Sequence, residues 1–258
     1  MHHTAYTKVE RQILDVRQAL SQSMPADPAD FRNKLRLTAY HEAGHVAARM
    51  FTGQEANHLV SVSIIPDSEC EGHAKSERNE AIIMLESYPP PQIRTAGQCL
   101  LMTLLAGRGV EARLNPRKTK ATPDLQARLL KSQILVPLSR EWDTPDTDLF
   151  HAWRVANIMR DARKEYIWRV LERAERWTIE MLAMPQVWAS VEKLANMLLE
   201  RGTIADHDEI SEACDEILYL GIANSKWRRR LVPTIAERKA MGWPTGRLKN
   251  SMQTDNQI

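Results

Sequence analysis

Thr38-Ala39-Tyr40-His41-Glu42-Ala43-Gly44-His45-Val46-Ala47-Ala48 is the stretch on which the reading of this chain turns. It contains H-E-x-x-H within an uninterrupted helical pattern. Residues i and i+4 of a helix stand one above the other on the same face. His41 and His45 can therefore offer two imidazole nitrogens to one ion. Glu42, one residue past the first histidine, can reach a water on that ion without binding the ion itself. Two ligands, one general base and open coordination positions are the parts of a zinc hydrolase. The motif is embedded in Leu37, Tyr40, Val46, Ala47, Met50 and Phe51, so the helix is expected to be largely buried. Polar groups on a buried helix need partners, because leaving them unpaired costs several kcal/mol.

Outward from this helix the chain reads as follows. Met24-Pro25-Ala26-Asp27-Pro28-Ala29-Asp30 precedes it, with Asp27 or Asp30 as cap, and Gly53 ends it. Before that, Val9, Ile13, Leu14, Val16 and Leu20 mark an amphipathic helix over 5–22. After it, Leu59–Ile65 alternates apolar with polar, is rich in β-branched residues, and reads as a strand ended by Pro66-Asp67. Gly72-His73-Ala74-Lys75-Ser76 is either a second short strand or a loop. His73 is a further candidate there, as a fourth metal ligand or a transition-state donor. An apolar helix follows over 93–113, in which Gly97, Ala106, Gly107 and Gly109 would let another helix approach closely. Residues 115–145 are basic at first and then punctuated by Pro123, Pro137 and Pro145, as an insertion would be; Leu125–Val136 could form a short helix in it. Asp143-Thr144-Pro145-Asp146-Thr147-Asp148 introduces a long helix over 147–182, with a break expected near 163. Its three carboxylates suit a solvated cap, and they also supply the third ligand that the helix motif lacks. Further helices are expected over 184–201, 206–219 and 225–241, with Gly202-Thr203-Ile204 as a break. The tail from Gly242 is polar and expected to be disordered.

Composition narrows the function classes. The chain has 258 residues, 43% apolar and 26% charged, as a globular protein does. It contains no apolar run of 18 residues and no apolar signal core after Met1, which leads to the expectation of a cytoplasmic protein without a membrane span. Cys70, Cys99 and Cys214 are odd in number and far apart, so they read as reduced thiols and not as a disulfide framework. A net charge of +2 argues against nucleic acid as the main partner. Gly107-Arg108-Gly109 lacks the lysine and spacing of a phosphate loop, so no ATPase is expected within the chain.

The motif and its surroundings resemble peptidase family M41, the proteolytic domain of the membrane-bound ATP-dependent FtsH proteases. Thr38–His45 looks like that family's zinc motif, and Val60–Pro66 like the strand after it. Leu104-Leu105-Ala106-Gly107-Arg108-Gly109-Val110-Glu111-Ala112 resembles its L-x-G-G-R-x-A-E helix, with Ala106 in place of the first glycine. Thr147-Asp148-Leu149 resembles its S-N-D-[IL] segment, and Leu199–Ile204 its L-x-x-x-E-T-[IL] segment. The resemblance covers about residues 35–218. It implies that His41, His45 and Asp148 bind Zn²⁺, with Asp146 and then Asp143 as fallbacks for the third ligand. It implies that Glu42 is the catalytic base. The implied fold is mainly α (α+β), a helical metallopeptidase domain with a small β element. Gly72, His73 and Ala74, on its edge strand, would bind an extended substrate by β-augmentation. The family's ATPase and transmembrane parts are absent, the stretch between Glu111 and Asp148 is longer, and the region after the aspartate is compressed to Arg160–Glu172.

The organisation expected is an amphipathic helix and linker over 1–30, an M41-like peptidase domain over 31–220, and a basic helix and flexible tail over 221–258. The function expected is an ATP-independent zinc endopeptidase that cuts flexible or unfolded segments of proteins or peptides through a metal-activated water. A separate ATPase and a second copy of the chain are candidate partners. The competing reading is a zinc-containing regulatory or binding module with the same fold and no turnover.

Overall fold

The computed structural model describes residues 28–53, 59–65, 73–76, 85, 90–115, 147–163, 166–224, 226, 227 and 231. These are mostly helical, with one small antiparallel sheet. The first helix, α1 (Pro28–Thr52), begins on a proline, a residue whose fixed φ suits a first turn. From Ala39 to Thr52 nearly every residue is buried. Gly53 ends it with a φ of 66°, and its amide N–H donates to the Met50 carbonyl. Asp30, read as one of two caps, lies inside the helix, and Asp27 lies outside the described residues.

Strand β1 (Leu59–Ser63) is the middle of the sheet, with β2 (His73–Ser76) on one side and β3 (Thr203–Ile204) on the other. Val62 stands opposite both Ala74 and Ile204, and Ser63 opposite both His73 and Thr203. The Ser63 and Thr203 hydroxyls are hydrogen-bonded at 2.8 Å. The segment Gly202-Thr203-Ile204, expected to be only a break, is thus also a strand. Two residues are too short to show a period of two, and it is pairing with β1 that extends them.

Helix α2 (Pro90–Leu114) is the centre of the molecule. Cys99, Met102, Ala106 and Val110 pack into one apolar cluster with α1, the sheet, α5 (Pro185–Arg201) and the segment after it. Ile93, Leu100, Leu101 and Leu105 pack into a second cluster with α3 (Thr147–Arg163) and α4 (Ile167–Leu182). The long helix expected over 147–182 is therefore two helices, broken near 163 as expected, with Tyr166 as the cap of α4. α5 ends at Gly202, whose φ is 76° and whose carbonyl accepts from the Ile64 amide, which ties the helix end to the sheet.

The helix expected over 206–219 is shorter. α6 (His207–Ala213), capped by the Asp206 carboxylate on the Asp208 amide, gives way to a 3₁₀ turn, Asp215–Ile217. Ile210, Ala213, Cys214 and Ile217 are all buried, so the apolar spacing runs unbroken through a change of helix type. α7 (Leu220–Ala223) follows. Of the helix expected over 225–241, Lys226, Trp227 and Leu231 are described and are helical. The expected helix over 5–22, the insertion beyond Asn115 and the tail from Gly242 lie outside the described residues. No helix among the described residues is long and apolar enough to cross a membrane.

Candidate metal centre

α1 and α2 cross closely because the contact is made by residues with little or no side chain. A Cβ on Gly44 would come within 2.8 Å of Val110 and 3.1 Å of the Ala106 carbonyl oxygen. A Cβ on Gly107 would overlap the His41 imidazole at Nε2, Cδ2 and Cε1. The expectation that the small residues of this helix serve close packing holds: Ala106 and Gly107 admit the helix with the motif, Gly97 admits Met159 of α3, and Gly109 admits Leu182 and Thr178.

Each histidine is held by its outer nitrogen. His41 Nδ1 is 2.7 Å from Glu111 Oε1, and Glu111 Oε2 is 3.5 Å from Arg108 Nη1. His45 Nδ1 donates to the Thr103 carbonyl oxygen at 2.8 Å. Both acceptors belong to α2. The inner nitrogens converge on the first turn of α3, where Asp148 Oδ2 lies 3.2 Å from His41 Nε2 and 3.0 Å from His45 Nε2. His41, His45 and Asp148 form a group whose ligand atoms all lie within 4.8 Å of one another, and it could hold a metal ion. The side chain of Asp148 is the most open of the three at 28% exposed, so solvent reaches the group from its side.

The geometry tests whether a cation fits. A carbonyl oxygen only accepts, so His45 Nδ1 carries a hydrogen. In the neutral ring its Nε2 is then a bare lone pair. That lone pair faces a carboxylate oxygen, acceptor against acceptor. The pair is stable only with a proton or a metal ion between them. In the metal-free chain the proton takes that role. Burial pulls the basicity of His41 down, but the Asp148 and Glu111 carboxylates outweigh it and push the pKa up to about 10. His45 is raised as well, against its burial, chiefly by the charge of Asp148. Asp148 is held well below the usual carboxylate range, against its burial, by the two histidines. A carboxylate behind one imidazole and a carbonyl behind the other are what metal-binding histidines ordinarily have.

Glu42 is buried at 7% exposed, and its charge contributes to the raised basicity of both rings. It does not belong to the ligand group. The structure thus brings Asp148 to His41 and His45 from far along the chain, with Glu42 buried next to His41 in sequence and near enough for its charge to act on both rings. Asp143 and Asp146, the fallback ligands, lie outside the described residues, as does Gly72. His73 and Ala74 lie on β2, which packs with β1 against α1.

Two partners went unassigned in the sequence. Glu111 had a detectable signal, since it stands four residues after Gly107 and is an acid inside an apolar helix. The Thr103 carbonyl had none, because every residue has one. The chain matches no family model and no curated protein.

Proposed function

We propose that this chain is a zinc endopeptidase with an M41-like fold, which hydrolyses peptide bonds in flexible or unfolded protein segments. The observation that carries the reading is the convergence of two imidazole lone pairs and one carboxylate beside a buried glutamate. Around a four-coordinate zinc with bonds of about 2.0–2.1 Å, ligand atoms stand about 3.3 Å apart. The two nitrogen–oxygen separations here, 3.2 and 3.0 Å, are close to that edge. Three protein ligands with one open side is the coordination of a catalytic site, whereas a structural zinc usually has four. The mostly helical architecture with a small antiparallel sheet is the kind that the resemblance implies.

Zinc held there would bring the pKa of a coordinated water to about 7 and polarise a carbonyl oxygen. The residues of the chain do the rest. His41 and His45 are kept in one tautomer and one orientation by Glu111 and the Thr103 carbonyl. Glu42 takes a proton from the water as its oxygen bonds to the peptide carbon. It delivers that proton to the amide nitrogen as the C–N bond breaks. β2, antiparallel to β1, offers a main-chain edge along which an extended substrate can lie.

The test is zinc content and cleavage of an unstructured protein by the purified chain, beside Glu42→Gln. The expected result is about one zinc per chain in both and a rate that falls about 10²–10⁴-fold in the variant. Equal cleavage by both would sink the mechanism. Bound zinc with no cleavage by either would favour the non-catalytic module.

A further inference from the structure

Beyond the residues that the resemblance names, one more titratable side chain of α3 lies close enough to Asp148 to feel its charge. His151 lies three residues after Asp148 on α3, so it projects from the same side of the helix, one turn deeper. It is partly exposed, but its Nδ1 is fully buried and has no hydrogen-bond partner among the described residues. Burial and Arg154 lower its basicity and Asp148 partly offsets them, so the ring is neutral near pH 7. A neutral imidazole has one N–H and one lone pair. As with backbone groups, a buried N–H without an acceptor is the rarer defect. The lone pair therefore takes the sealed Nδ1 position, and the proton sits on Nε2. The result is a neutral donor one turn from a ligand carboxylate. It lies outside the group of atoms that, among the described residues, could share an ion. Its ring also lies beside Phe150, with centroids 5.8 Å apart and planes tilted by 52°.

We propose that His151 is a further catalytic residue, whose Nε2–H donates a hydrogen bond to the peptide carbonyl oxygen as that oxygen gains negative charge. This rests on the peptidase reading above. A donor aimed at developing charge accelerates the step without moving a proton, and removing one typically costs about 10²–10³ in rate. His151→Phe keeps the ring volume and loses the donor, while His151→Gln keeps a donor.

The experiment uses the zinc-loaded chain, an unstructured protein as substrate, and a phosphinic alanine pseudopeptide as a tetrahedral mimic. The expected result is a kcat about 10²-fold lower in His151→Phe, with KM and zinc content unchanged and partial recovery in His151→Gln. The pseudopeptide should also bind more weakly to His151→Phe. A parent that cleaves and a His151→Phe variant that cleaves equally well overturn the inference and leave the peptidase reading standing. If the parent does not cleave, the peptidase reading fails and the catalytic role of His151, which rests on it, fails with it. If the parent cleaves and His151→Phe binds the pseudopeptide as tightly as the parent does, the donor role alone is overturned.

Discussion

His45 Nδ1 donates its hydrogen to the main-chain oxygen of Thr103 at 2.8 Å, and this single bond determines what the other ring nitrogen can do. A carbonyl has no second protonation state, so Nδ1 keeps its hydrogen whether the ring is neutral or charged. His41 is fixed by a carboxylate instead, which a substitution can remove. The two histidines should therefore answer differently to changes in α2. Glu111→Gln should weaken metal binding about 10–100-fold, the usual cost of losing a carboxylate behind a metal-binding histidine. Thr103→Val, which keeps the carbonyl and the shape, should leave affinity unchanged. Competition with a chromogenic chelator measures both, and equal losses in the two variants would contradict the assignment.

Gly107 is the second sensitive position of the same helix. Alanine there gains about 1 kcal/mol of helix propensity, but its methyl group would occupy the place of the His41 ring. Overpacking of this kind costs about 1–3 kcal/mol. Gly107→Ala should lower metal affinity at least as far as Glu111→Gln while its circular dichroism stays helical. Gly109 is a suitable control, because its missing Cβ faces Leu182 and Thr178 and not a histidine. Gly109→Ala that lost the metal and Gly107→Ala that kept it would reverse the expectation.

In the metal-stripped protein, proton linkage gives a pH signature. The folded pKa of His41 is raised to about 10. Its contribution to stability is fully present below the unfolded value of about 6.5 and is lost as pH rises through about 10. Asp148 is shifted down, so its contribution is present above about 3.9 and is lost as pH falls further. The stripped chain should thus be most stable between about pH 4 and 6.5 and should weaken toward pH 10. Urea midpoints of chelator-treated protein across this range check it. Asp148→Asn should flatten the alkaline decline, and a parent whose midpoint rises from pH 6 to pH 10 would rule the linkage out.

The sequence marks the cysteines as ordinary reduced thiols, and Cys99 and Cys214 lie among the described residues. Cys99 and Cys214 are buried among apolar side chains, and burial pushes both thiols up to about 12. At pH 8 roughly one in ten thousand would be thiolate, the reactive form. In a Cys70→Ser background, both should resist alkylation until denaturant is added. Mass spectrometry after brief iodoacetamide treatment reads the outcome, and rapid native labelling at either position would contradict their burial.

What could be read in advance depended on which atoms carry the information. His41, Glu42 and His45 declare themselves, because the pattern is written in side chains and helical spacing fixes their geometry. Asp148 stands out from Asp143 and Asp146 only through the resemblance of Thr147-Asp148-Leu149 to a family segment, since the three share one helix cap in the sequence. The Thr103 carbonyl could not be found at all, and Gly107 could be seen only as a packing residue. β3 escaped because its extension comes from β1 and not from Thr203 and Ile204 themselves. The overrun from α6 into the 3₁₀ turn has a related cause, since Ile217 follows Cys214 at a spacing that both helix types satisfy.

The two apolar clusters on either side of α2 give the candidate metal centre a mechanical meaning. His41 and His45 belong to a helix of one cluster, and Asp148 to a helix of the other. An ion held by all three closes a loop of roughly a hundred residues, a closure that a disulfide would make worth about 4–5 kcal/mol in chain entropy. Unlike a disulfide, this staple is opened by a chelator, not by a reductant. Ion withdrawal should therefore loosen α3 from α1 first, while α4, which adds Met181 and Leu182 to the cluster of α1, stays in place.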